Sequence, residues 1–166
     1  ASLAGVNIGG LTESSGLFQI DNIIELYTSY NMLKQTLLTT LDSPNGKERL
    51  VSWYGRTAKY TDSWDDLGIN FEIPDDQLVV KHDSVLKEIV DVLKERSLMV
   101  SKPNRKLTIL GVTFSSKDEL LAKSFNETLV GLVNNFYFKV RTKKTGENLR
   151  VLGIQADSVK KVLDFT

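Results

Sequence analysis

Only a few residues in this chain have the types and spacing for chemistry. His82 is the sole histidine. Asp83 adjoins it, with Asp75 and Asp76 close by, so a general base or a metal ligand set could be drawn around it. One histidine gives neither a His-x-x-x-His pair nor a triad spacing. The plainer reading is a histidine at a strand end, with Asp83 helping to start the next helix. Asp62, Asp65 and Asp66 are a second set of oxygen donors. They lack the alternating spacing and fixed glycine of an EF-hand loop and read as a solvated loop. Trp53, Tyr54 and Trp64 lie nearby and carry the one ligand reading available from residue type. Aromatic faces stack on sugar rings, so residues 53–66 are a candidate carbohydrate- or cation-binding stretch, with Trp53, Tyr54 and Trp64 as glycan contacts. More often such rings pack a loop onto the core, and that is the plainer reading here. Asn126-Glu127-Thr128 matches a glycosylation sequon but falls in a helical pattern and is read as chance. The glycines between Gly5 and Gly10 are not followed by Gly-Lys-Ser/Thr, so no phosphate-binding loop is expected. No catalytic residue, metal or cofactor is expected.

Composition agrees with that restraint. The chain has 166 residues, enough for one well-buried core, with 41% apolar and 25% charged residues. Lysine plus arginine and aspartate plus glutamate number 21 each. A neutral balance lacks the basic footprint that phosphate backbones reward, so nucleic acid is not an expected partner. With no cysteine, disulfides, thiolate nucleophiles and cysteine metal sites are excluded together. No apolar run is long enough to span a bilayer, and the first ten residues lack signal-peptide character. The abrupt start and end suit a soluble domain cut from between membrane anchors.

The elements follow from periodicity. A glycine- and serine-rich loop opens the chain. A helix begins at Asp21 or Asn22 and carries Ile23, Ile24, Tyr27, Tyr30, Leu33, Leu37, Leu38 and Leu41 on one stripe, until Ser43-Pro44-Asn45-Gly46 stops it. Residues 47–83 are the weakest stretch, with short strands expected at 70–73 and 77–81. A second helix is expected over 84–96, buried through Val85, Leu86, Ile89, Val90 and Leu93, and a short strand over 97–101. Residues 106–114 read as the clearest strand, apolar on both faces and therefore central. Ser116 with Glu119 forms a capping box for a helix over 116–140, about 37 Å long from its rise per residue. Gly146 ends it, and a last helix begins near Glu147 and runs past the chain end. The expected fold is α+β: a small sheet flanked by helices, with a long C-terminal helix truncated at the chain end, all in one domain, 1–166.

The order of segments carries a resemblance. The strand ending at Phe114, then Ser115-Ser116-Lys117-Asp118-Glu119-Leu120-Leu121-Ala122, then Asn126 and Tyr137, resembles the Wzz-type chain length determinants, polysaccharide co-polymerases of bacterial inner membranes. Glu119 stands where that pattern usually has proline. Residues 148–163, with Gln155 and Asp157-Ser158-Val159, are similar to the start of the family's long helix. Glu25-Leu26-Tyr27-Thr28-Ser29 resembles its Glu-Leu-x-Ser theme. Residues 47–83 match nothing quotable in the family.

The resemblance implies a periplasmic domain of a membrane-anchored protein, held between two transmembrane helices absent from this chain. It implies a non-enzymatic regulator of O-antigen or capsule chain length. Its expected partners are further copies of itself, the polysaccharide polymerase and the growing polysaccharide. In a ring of identical subunits each neighbour meets a different face, and Arg150, Lys160 and Lys161 are the expected interface residues. The alternative is the extracytoplasmic carbohydrate- or cation-binding module built on residues 53–66.

Overall fold

The computed structural model describes residues 20–164 apart from Arg105 and Thr108, with side chains from Asn22 to Lys143. The glycine-rich opening, the side chains of Arg150, Lys160 and Lys161, and the expected continuation past Thr166 lie outside the described residues. The fold is mixed, as the periodicity of the sequence predicts. Six helices and two separate two-stranded antiparallel sheets alternate along the described chain, in place of the single sheet expected. Two compact units result, one reaching to Leu132 and one beginning at Val133.

The first expected helix is two helices, α1 (Ile20–Tyr27) and α2 (Tyr30–Leu38). The break is local side-chain chemistry. Thr28 Oγ1 donates to Ile24 O at 3.2 Å. Ser29 Oγ donates to Leu26 O at 2.9 Å and accepts from Met32 N at 3.3 Å. Ser29 thus closes one helix and caps the next, the competition that hydroxyl side chains offer a helical backbone. The stripe survives the break, since Tyr27, Leu33 and Leu37 are all buried. Leu41 belongs to no helix. It lies in β1 (Thr40–Ser43), which pairs with β2 (Gly46–Arg49) in the register Thr40↔Arg49 to Ser43↔Gly46. Pro44-Asn45 makes the turn, and Gly46 takes φ 107°, a conformation side chains resist.

Within residues 47–83 the expected strands are absent. Two short helices, α3 (Leu50–Thr57) and α4 (Thr61–Asp66), occupy the first half. Neither is long enough to print a 3.6-residue period over an 11-residue window. Residues 71–73 form bends with no ladder partner, and Asp75–Gln77 is a 3₁₀ turn. The next helix, α5 (Val80–Val92), starts four residues before the expected Ser84 because His82 caps it. A π turn (Leu93–Ser97) carries the chain into β3 (Leu98–Ser101).

The strand expected over 106–114 is shorter and less central than its apolar pattern predicts. Only β4 (Gly111–Phe114) pairs, with the four residues of β3, from Leu98↔Phe114 to Ser101↔Gly111. β3 has no more residues to offer, so Leu107 and Ile109 are left 48% and 57% exposed. From β4 the chain enters α6 (Glu119–Asp164), 46 residues in one unbroken helix. Gly146 does not end it and no separate helix starts at Glu147. A single glycine costs about 1 kcal/mol relative to alanine, which is a weakness and not a stop.

The core of the first unit gathers one face from each element. Leu33 and Leu37 of α2, Leu50 and Val51 of α3, Leu86 of α5 and Leu121, Phe125 and Leu129 of α6 are fully buried. Phe114 stacks on Phe125 with ring centroids 4.0 Å apart, fixing β4 to α6. In the second unit Phe136 and Phe138 are exposed.

Candidate functional site

The residues singled out for ligand chemistry lie in the first unit, and most are spent on neighbours within the fold. Trp53 sits in α3 and is 3% exposed. Its indole Nε1–H donates to Asp118 Oδ2 at 2.8 Å. Asp118 Oδ1 accepts from Leu120 N at 3.0 Å and Leu121 N at 3.1 Å. One carboxylate therefore caps α6 and satisfies a buried tryptophan. The cap is Asp118 and not the expected Ser116, whose hydroxyl accepts instead from Asp118 N at 3.2 Å. An aspartate on the last residue before the helix meets both free amides and the positive end of the dipole.

Trp64 in α4 is also buried. It lies edge-on to Phe71, 5.2 Å between centroids, and against Gly55 of α3. Gly55 has no side chain because the Trp64 ring fills that space. Phe71 in turn meets the His82 ring edge-on at 5.4 Å. This chain of rings continues through Trp64 to Tyr60, and Trp64 spends its faces within it, while Trp53 is buried beside Asp118. Tyr54 is half-buried and 6.2 Å from Tyr60. Burial first, and the neighbouring phenol second, push the Tyr54 hydroxyl pKa up.

His82 is 4% exposed. Nδ1 accepts from Val79 N at 3.1 Å, and Nε2 lies 3.1 Å from Asn70 O. An acceptor at Nδ1 and a donor at Nε2 fix the neutral tautomer with its proton on Nε2. Both nitrogens are spent in holding the start of α5 to residue 70, in a helix and not at the expected strand end. Asp83 pairs with Lys34 of α2 at 2.6 Å. Asp62, Asp65 and Asp66 are exposed on α4. Among the described residues, no group of three or more histidine or acidic side chains could hold a metal ion.

Three arrangements carry no signal in the sequence. Glu72 Oε1 accepts from Arg49 N at 2.9 Å and from Ser52 Oγ at 2.5 Å. It ties residue 72 to the residue that precedes α3 and to the first turn of that helix. Glu48 receives both Arg56 nitrogens, Nη1 at 2.8 Å, together with the Ser43 hydroxyl. That fork ties the β1–β2 hairpin to α3. An open groove of about 540 Å³ runs between α2 and α5, lined by Tyr30, Lys34, Val80, Asp83, Lys87 and Lys94.

No helix among the described residues is long and apolar enough to cross a membrane. Compared with protein-family models, curated proteins and solved structures, the chain shows no match to any of them.

Proposed function

We propose that this chain is a periplasmic domain of a bacterial inner-membrane protein that regulates surface polysaccharide chain length without a catalytic centre of its own. It acts as a homo-oligomeric scaffold beside the polysaccharide polymerase, in reach of the growing polymer. The observation that supports the reading is what the resembling residues do physically. The strand ends at Phe114, Asp118 caps the helix that follows, and Asn126 reaches back from that helix to donate to Val112 O of β4 at 3.1 Å. Phe114, Asp118 and Asn126 each join strand to long helix, a structural role and not a catalytic one. The burial of Trp53 and Trp64 weighs against the alternative glycan module, since neither ring offers a face to a sugar.

In this reading the surface of the long helix sets the geometry between subunits. Charge reversals there change association more than fold. The test is Arg150→Glu or Lys161→Glu in the membrane-anchored protein, read as the band ladder of surface polysaccharide. A shift in modal length with polymer still made is the expected result. An unchanged ladder for every such reversal, with folded protein present, would reject the scaffold role and favour the binding module.

A further inference from the structure

We propose that Asn45-Gly46, at the tip of the β1–β2 hairpin, is a site of spontaneous backbone modification in which Arg56 assists the reaction. It is the only Asn-Gly pair in the chain. Residues 44–47 are all exposed. No heavy atom lies within 4 Å of where a Cβ on residue 46 would sit, so no side chain crowds the turn at this residue. The reaction needs only water. The Gly46 nitrogen, losing its proton to solvent base, attacks Asn45 Cγ. The new N–Cγ bond closes an imide, the Cγ–Nδ2 bond breaks and ammonia leaves. Water then opens either imide carbonyl, giving an aspartyl residue or its β-linked isomer.

Two features of the structure act on this step in opposite directions. The Ser43↔Gly46 pairing closes the hairpin and engages the Gly46 amide, so the tip must open first. A two-stranded ribbon is marginal by itself, and its last rung is the easiest to open. In the other direction, with the Asn45 carboxamide turned to the orientation that matches donors to acceptors, its oxygen accepts from Arg56 Nε at 3.0 Å and Nη2 at 3.2 Å. Negative charge develops on that oxygen as the nitrogen attacks, and a fixed guanidinium donor there stabilises it. The product places a new carboxylate beside the Glu48–Arg56 pair. The β-linked form also lengthens a two-residue turn by one backbone atom, which the Ser43↔Gly46 register cannot absorb.

The experiment is incubation of the folded chain in mildly alkaline buffer, followed by peptide mapping by mass spectrometry and isoaspartyl methyltransferase labelling. Asn45 is expected to convert faster than every other asparagine. Arg56→Gln is expected to slow it several-fold, whereas Glu48→Gln, which loosens the same hairpin but leaves the guanidinium, is not. An intact Asn45 while other asparagines convert would overturn the site. Equal rates in wild type and Arg56→Gln, or equal slowing in both variants, would overturn the role of Arg56.

Discussion

Trp53 and Asp118, 65 residues apart, share one hydrogen bond of 2.8 Å that locks the third helix to the start of the sixth. The other oxygen of the same carboxylate caps that helix, so a single side chain joins core packing to the element on which the scaffold reading depends.

Asp118→Ala should therefore be among the most damaging exposed-to-core substitutions. It removes an N-cap worth about 1 kcal/mol and leaves the Trp53 N–H buried without a partner, a further loss of about 1–3 kcal/mol. Asp118→Asn keeps a neutral acceptor and should lose less. Denaturant unfolding followed by tryptophan fluorescence measures both. Equal stability of wild type and Asp118→Ala would mean that the shared carboxylate is not the joint described here.

Gly55→Ala should destabilise although alanine favours helices. The gain in propensity is about 1 kcal/mol, but the added carbon would fall inside the Trp64 ring, and overpacking a filled site costs about 1–3 kcal/mol. A double-mutant cycle with Trp64→Leu separates the two effects. The alanine should be tolerated far better once the ring is gone, and additive losses would refute the contact.

Glu72→Ala should cost about 1 kcal/mol through loss of its bonds to Arg49 N and Ser52 Oγ. Hydrogen exchange at the Arg49 amide is the direct readout, since that amide loses its acceptor. Unchanged protection there would show that Glu72 does not hold the start of α3 in solution.

The Glu48 carboxyl is held below its ordinary pKa, first by hydrogen bonding to Arg56 and further by the Ser43 hydroxyl, with burial opposing. A folded-state pKa that is depressed stabilises above the unfolded carboxylate range, and that stability is lost as pH falls through the folded value. Lys34 is shifted up, chiefly by its hydrogen bond to Asp83. Its contribution is full below the ordinary lysine range and fades as pH rises beyond it. Wild-type Tm should thus fall faster than that of Glu48→Gln on the acid side. Parallel acid limbs would argue against the Glu48–Arg56 fork.

The elements legible in the sequence were those whose apolar residues recur over several turns. The stripe through Leu121, Phe125 and Leu129 marked α6, and Leu86, Ile89 and Val90 marked α5, though not its start, which His82 sets from inside the helix. What the sequence hid depends on contacts between distant residues. Ser29 looked like one more helical position until its hydroxyl was seen bonding both Leu26 and Met32. Residues 106–110 have the alternation of a strand, but the four residues of β3 pair with residues 111–114. Trp53, Tyr54 and Trp64 were legible as a cluster but not as a buried one. No local pattern tells a sugar-stacking ring from one packed on Gly55, or reveals that Glu72 binds Arg49 N and the Ser52 hydroxyl at the start of α3.

The central claim is that this chain governs how long a surface polysaccharide grows and does not itself make or cut it. The most direct measurement is the polysaccharide band ladder of the parent bacterium with the gene for the full-length protein removed and then restored. The regulator reading expects polymer in both strains, with the modal cluster of bands lost on removal and regained on restoration. A modal cluster that persists without the protein, or polymer that disappears altogether, would contradict it.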